Sequence, residues 1–218
     1  MLGNFTYTDK ILYSLEEVLS SDRLTNYLAM AQGNREKAIR LYLWNAELSE
    51  ALQIPVHILE VAVRNAIHKE LSKAFSSTWY DDAACPIKPA LRKVVQKVKN
   101  VLIADSKPIV PSRIISRLTM AFWVFLLSKR YETSLWRPYL YNAFPNAPKP
   151  FNRRLLRRIL ENIRLVRNRI AHHEPILTKS PDQVYTLILR VLNWISPDTT
   201  NWLKHHSRFD EVWKNPPV

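Results

Sequence analysis

The sequence predicts an all-α fold, and three observations predict it. Apolar residues recur at helical spacing along almost the whole chain, whereas no stretch calls for a sheet. Only two glycines occur, Gly3 and Gly33, against fourteen prolines. That poverty disfavours tight β-hairpins and Gly-rich phosphate loops, both of which need cheap positive-φ backbone. The prolines fall between apolar periodic segments, where they punctuate helices.

Taken in order, Ile11, Leu12, Leu15, Val18 and Leu19 describe a first amphipathic helix. Leu24, Tyr27, Leu28 and Ala31 describe a second, which Gly33 is suited to stop. Asn34 caps a third, in which Ala38, Leu41, Tyr42, Asn45 and Leu48 share a face. Pro55 suits a first turn and predicts a separate helix from there to about residue 75. After a loop around TWYDDAACPIKP, Leu91, Val94, Val95, Val98, Val101 and Leu102 make one stripe over residues 90–102. An apolar, Trp-containing helix is expected over residues 112–131, then a proline-punctuated connector, RPYLYNAFPNAPKP. A long helix follows over residues 151–173, ended by Pro175. Ser180-Pro181-Asp182-Gln183 reads as a capping box that launches the next helix, and the tail has room for one short helix at most.

A chain of 218 residues can bury one substantial core, so residues 1–218 are read as one domain, with an N-terminal helical half over 1–105 and central and C-terminal helices over 109–205. Lys and Arg number 32 against 19 Asp and Glu, a formal charge of +13 that favours a polyanionic partner. The lone Cys85 excludes an intramolecular disulfide and a Cys-rich zinc site. LTMAFWVFLL is about half the length that crosses a bilayer, so it reads as a core helix. The first twenty residues lack the basic and apolar regions of a signal peptide, and a cytoplasmic protein without a membrane role is expected.

The segment FNRRLLRRILENIRLVRNRIAHHEP, residues 151–175, is the most informative. On a helical wheel Leu155, Leu156, Ile159, Leu160, Ile163, Val166 and Ile170 fill one side. Arg153, Arg154, Arg157, Arg158, Arg164 and Arg169 fill the other, with Glu161 and Glu174 the only acids. Like charges four residues apart repel by about 0.2–0.5 kcal/mol per pair, so such a face calls for an anion, and these six arginines are expected to bind RNA. Arg167 stands apart, at the edge of the apolar sector, where packing and partial desolvation are expected to hold it. With Asn168 and His172 it makes an Arg-Asn-x3-His element. Arginine can clamp a phosphate and its transition-state charge, and histidine can move a ribose 2′-hydroxyl proton near neutral pH.

LVRNRIAHHEPI, residues 165–176, resembles the signature of the Abi-like (abortive-infection) family of the HEPN superfamily, in which an R-polar-x3–5-H element marks a nuclease site. LEVAVRNAIHKEL, residues 59–71, is similar to that family's first conserved helix with its Glu-x3-Arg-Asn element. RLTMAFWVFLLSKRY with LWRPYL resembles its central apolar helix and connector, and ILRVLNWISP also fits. The resemblance implies a HEPN-like helical bundle with additional N-terminal helices, acting in defence or toxin-like growth arrest as a metal-independent endoribonuclease. It implies no cofactor, RNA as substrate and a homodimer whose two motifs make one composite site; an antitoxin protein or small RNA is a candidate further partner, which the sequence does not reveal. Arg167, Asn168 and His172 are the expected catalytic residues, with His173 the alternative histidine. The rival within the same family is an inactive module that binds RNA or dimerises to regulate a defence partner.

Glu60, Arg64 and His68 align along one helix stripe, and Glu60 precedes Arg64 at the favourable spacing for an ion pair. Together with Asn65 they are either a registering ion pair or support for the Arg167–His172 site from a neighbouring helix. Lys88, Arg92, Lys93, Lys97 and Lys99 form a further basic face expected to track an RNA backbone. His205-His206 has no third ligand nearby and reads as surface.

Overall fold

The computed structural model describes residues 5–217. Its longest element, the third helix, organises the rest. Helix α1 spans Asp9–Leu19 and α2 spans Ser21–Met30. Gly33, at φ +83°, turns the chain out of α2 and lets its N–H reach the Leu28 carbonyl. Helix α3 then runs without interruption over Arg35–Ala74, capped by Asn34 Oδ1 on the Lys37 N–H. At about 1.5 Å per residue it is about 60 Å long.

This corrects the expectation of two helices meeting at Pro55. The proline removes one intrahelical bond and crowds the preceding turn, a cost of about 3 kcal/mol. On either side of it, however, Leu48, Leu52, Val56, Leu59, Val63, Ile67 and Leu71 are all buried. Each buried side chain of this kind contributes about 1.5–3 kcal/mol. The stripe therefore outweighs the break.

Helix α4 spans Pro89–Ala104, α5 Pro111–Arg117 and α6 Met120–Leu126. The single apolar helix expected over residues 112–131 is thus broken at Leu118 and Thr119, whose backbones are extended. The break leaves the Leu118 carbonyl free to accept from the indole N–H of the buried Trp123 at 3.3 Å. Beyond α6 the connector folds as tight 3-10 turns over Lys129–Tyr131 and Leu140–Ala143, with a wider π-helical turn over Glu132–Trp136 between them. Trp136, Phe144, Phe151 and Trp194 pack there ring against ring and anchor the entry to the next helix.

Helix α7 spans Arg153–Ala171 and α8 spans Pro181–Ile195. The expected capping box at Ser180 does not form: Ser180 is left-handed, at φ 48°, and its hydroxyl caps nothing. A box needs an extended N-cap residue, and the turn over Leu177–Lys179 delivers the chain at another angle. The tail carries two helices where one at most was expected, α9 over Pro197–His206 and α10 over Phe209–Lys214. Ser196 caps α9, and α10 docks on α3 through Trp213 stacked on Trp44, whose indole N–H donates to the Val212 carbonyl.

Every element is helical or turn among the described residues, so the fold is all-α. The main core joins α3 to α6, α7, α8 and α10; a smaller cluster joins α1 and α2 to the start of α3, with Trp44 and Leu177 packed against both. No helix among the described residues is long and apolar enough to cross a membrane.

Leu160 is fully buried on α7 whereas Val18 on α1 is 79% exposed. Leu160→Ala is expected to lower the unfolding free energy by about 2–5 kcal/mol. Val18→Ala is expected to change it by less than about 0.5 kcal/mol. Urea titration followed by circular dichroism measures both.

Candidate nucleic-acid interface and motif site

The apolar side of α7 buries Leu156, Ile159, Leu160, Ile163 and Val166 against the core. That places the arginine-bearing side outward, and the structure then sorts the arginines by their partners. Arg153 is a correction to the expected RNA face. It is buried, donating to the Leu127 carbonyl and to Glu132. Its side chain leaves the first turn of α7 pointing back over the preceding connector, as helical side chains do. Arg164 is held by Glu161 through two hydrogen bonds, and that guanidinium keeps the Glu161 carboxyl below its ordinary range. Arg169 donates to the Pro175 carbonyl and pairs with Glu174. Arg154, Arg157 and Arg158 are exposed, and no acid pairs with them among the described residues.

Arg92, expected on a second RNA face, is instead a brace. Its guanidinium donates to the carbonyls of Tyr80, Asp82 and Cys85 and holds the loop before α4. Lys99, expected on the same face, is instead engaged by Asp81 at 2.6 and 2.7 Å, whereas Lys88, Lys93 and Lys97 are exposed without an acidic partner among the described residues. His205 and His206 lie exposed in the last turn of α9. No cluster of three His, Cys, Asp or Glu side chains fit to hold a metal forms among the described residues.

At the other end of α7, Arg167 Nε donates to Glu60 Oε1 at 3.0 Å. This ion pair ties α7 to α3 across 107 positions of sequence. It replaces the Glu60–Arg64 pair that the spacing suggests: Arg64 turns to Asn65 Oδ1. Arg167 is held by this pair rather than by packing, since its side chain is 45% exposed. Its two terminal amino groups make no hydrogen bond to the described residues. Asn168 is half-buried, and its carbonyl accepts the His172 N–H. His172 and His173 are exposed, just past the last residue of α7.

Five helical steps of about 100° put Arg167 and His172 about 140° apart around α7. One chain therefore offers the guanidinium and the imidazole on well-separated sides of the same helix end.

His68 belongs to the core rather than to this site. Its Nδ1 accepts from the indole N–H of the buried Trp79 at 3.0 Å, with Ser72 Oγ at 3.3 Å. Burial, reinforced by the Arg64 charge, holds its imidazole below the ordinary 6.5.

The turn after α7 is clamped from three elements, and the clamping residues escaped the sequence reading. The carboxamide oxygen of Asn45, buried on α3, accepts the N–H groups of Ile176 and Leu177 at 2.8 and 3.3 Å. Arg23 on α2 donates to the His173 carbonyl at 2.8 Å, and Arg169 holds the Pro175 carbonyl. His173 itself is left-handed, at φ 55°. One signal for Asn45 was present: it is the only polar side chain in the apolar face Ala38, Leu41, Tyr42, Asn45, Leu48. A buried amide in such a stripe needs a partner, and here the partner is the returning chain.

Asn45→Ala orphans two amide groups and is expected to lower stability by about 1–3 kcal/mol. Amide exchange at Ile176 and Leu177 should accelerate with it; unchanged protection at both would contradict the clamp. His68 has a depressed folded-state pKa, so its contribution is complete above about pH 6.5 and is lost as pH falls through that lower value. Chemical denaturation across this window should show a steeper acid loss in the wild type than in His68→Gln. Equal slopes would remove His68 from the pH dependence.

Comparison of the chain with protein-family models, with curated proteins and with solved structures finds no match.

Proposed function

We propose that the protein is a metal-independent endoribonuclease of HEPN type, acting as a homodimer in which two α7 ends make one site. The observation that carries this reading is the Arg167–Glu60 pair beside the exposed His172–His173 turn. Glu60 holds the guanidinium by Nε alone, which leaves the two terminal amino groups to bridge phosphate oxygens. Preorganised charge of this kind stabilises a pentacoordinate phosphorane without reorganisation during the reaction.

In the proposed reaction one imidazole takes the proton of a ribose 2′-hydroxyl. The 2′-oxygen attacks the adjacent phosphorus, and the bond to the 5′-oxygen of the next nucleotide breaks. A second imidazole protonates that oxygen, so the products are a 2′,3′-cyclic phosphate and a 5′-hydroxyl. One His172 per chain supplies two such groups only when two chains pair. The wide angle between Arg167 and His172 within one chain fits the same need: the guanidinium of one protomer faces the imidazole of its partner. A defence or growth-arrest role, with an antitoxin protein or small RNA as restraint, belongs to the same proposal.

A second reading draws on that angle alone. A chain whose Arg167 serves only to pair with Glu60 would bind RNA, or dimerise, without cutting it. Activity separates the two. The purified protein is expected to cut RNA in excess EDTA and to run as a dimer in light scattering. Arg167→Ala and His172→Ala should each lower the rate by about 10²–10⁴ with helicity unchanged. Full activity in both variants would remove the site assignment, and cleavage by a monomer would remove the composite site.

A further inference from the structure

Three arginines left without an ion pair among the described residues, Arg154, Arg157 and Arg158, sit around one groove. It lies where α7 begins, between the helix and the connector turn at Lys129, and encloses about 1190 Å³. Both of its acids are already engaged: Glu132 by Arg153 and Arg137, Glu161 by Arg164. Lys129, Arg154, Arg157 and Arg158 remain on its walls as four exposed cations with no ion pair among the described residues. The first turn of α7 carries no acid, so the positive end of the helix dipole adds to their field. Arg153 lines the groove and is nine-tenths buried, yet its Nε has no hydrogen-bond partner. That N–H is closed off from the groove, and the two terminal amino groups are spent on the Leu127 carbonyl and Glu132, so the exposed cations alone face a ligand.

Small-molecule sites are mostly apolar and about 300–1,000 Å³ in volume. This groove is larger, open and walled by charge, which suits a polymer of phosphates. It also lines up with His172, though not with Arg167. Arg154, Arg158, Leu165 and His172 fall within about 40° of one another around α7, and Arg158 and His172 are separated by about 21 Å of helix rise. Leu165 stands between them, 51% exposed, an apolar step on which a base can rest. At about 3.4 Å per stacked nucleotide the span corresponds to about six nucleotides.

We propose that this groove anchors the substrate strand: Lys129, Arg154, Arg157 and Arg158 grip successive phosphodiesters of a single-stranded RNA, which then runs along α7 past Leu165 to His172. The choice of RNA rests on the function proposed above; the grip itself acts on phosphates and carries no base preference.

The test is binding of a fluorescein-labelled single-stranded RNA, longer than the span, to full-length His172→Ala protein in EDTA, across a salt series. Four phosphate contacts predict a slope of log K against log salt of about −2.8. In the triple variant Arg154→Gln, Arg157→Gln, Arg158→Gln the slope should shrink by about two, with affinity at least about tenfold weaker. A charge-matched control, Lys37→Gln, Lys69→Gln, Lys204→Gln, should bind within about twofold of the parent, because these exposed lysines lie outside the groove. Equal loss in the control, or an unchanged slope in a triple variant that melts like the parent, overturns the groove. Because binding is read without cleavage, loss confined to the arginine variant keeps the groove even if the wild type cuts no RNA; that result removes the nuclease reading alone.

Discussion

The apolar stripe of α3 is the constraint on which the rest of the structure depends. Leu48 to Leu71 keep helical register through Pro55, and α6, α7, α8 and α10 all pack on this one helix, with α2 on its first turns. Because α3 does not break, three distant polar tasks fall on one rigid rod. Asn45 holds the chain that returns from α7, Glu60 holds Arg167, and His68 holds Trp79. A kink at Pro55 would swing the first of these away from the other two, and the turn bearing His172 and His173 would lose its reference to Arg167.

Desolvation sorts the positive charge of the molecule. Where an arginine lies under the connector or against a loop, it is matched to carbonyls or carboxylates, as Arg153, Arg92, Arg164 and Arg169 are. Where it stands in water it is left unpaired, as Arg154, Arg157 and Arg158 are. Burying an unmatched guanidinium costs several kcal/mol, whereas leaving one exposed costs little. The formal charge of +13 is therefore not spread evenly in its effect. Part of it is structural mortar, and Lys129, Arg154, Arg157 and Arg158 concentrate unpaired charge at the start of α7, while Lys93 and Lys97 stand exposed on α4. The two ends of α7 differ accordingly: a charged groove opens at one, and a tightly clamped turn with two exposed histidines closes the other.

Several features were legible because they depend on near neighbours in sequence. The apolar face of α7, the Asn34 cap, the stop at Gly33 and the lone status of Asn45 in its stripe all follow from residues within a few turns. The Ser196-Pro197-Asp198 start of α9 carried the same kind of signal as Ser180-Pro181-Asp182 and was passed over; there the cap does form. The Ser180 cap fails for a reason no local pattern holds, since the path set by the preceding turn decides its backbone angle. The break at Leu118 is similar, because it answers to the indole of Trp123 buried in the core.

By itself the sequence determined the helical class, the amphipathic face of α7 and the presence of an arginine-rich side with Arg167, Asn168 and His172 at its end. Helical periodicity and net charge are properties of the chain read a turn at a time, so they survive without coordinates. Only the tertiary structure decided which cations are free and which are bound. That choice depends on carbonyls and carboxylates far away in sequence, such as Glu60 for Arg167 and the His173 carbonyl for Arg23, and on which side chains packing removes from water.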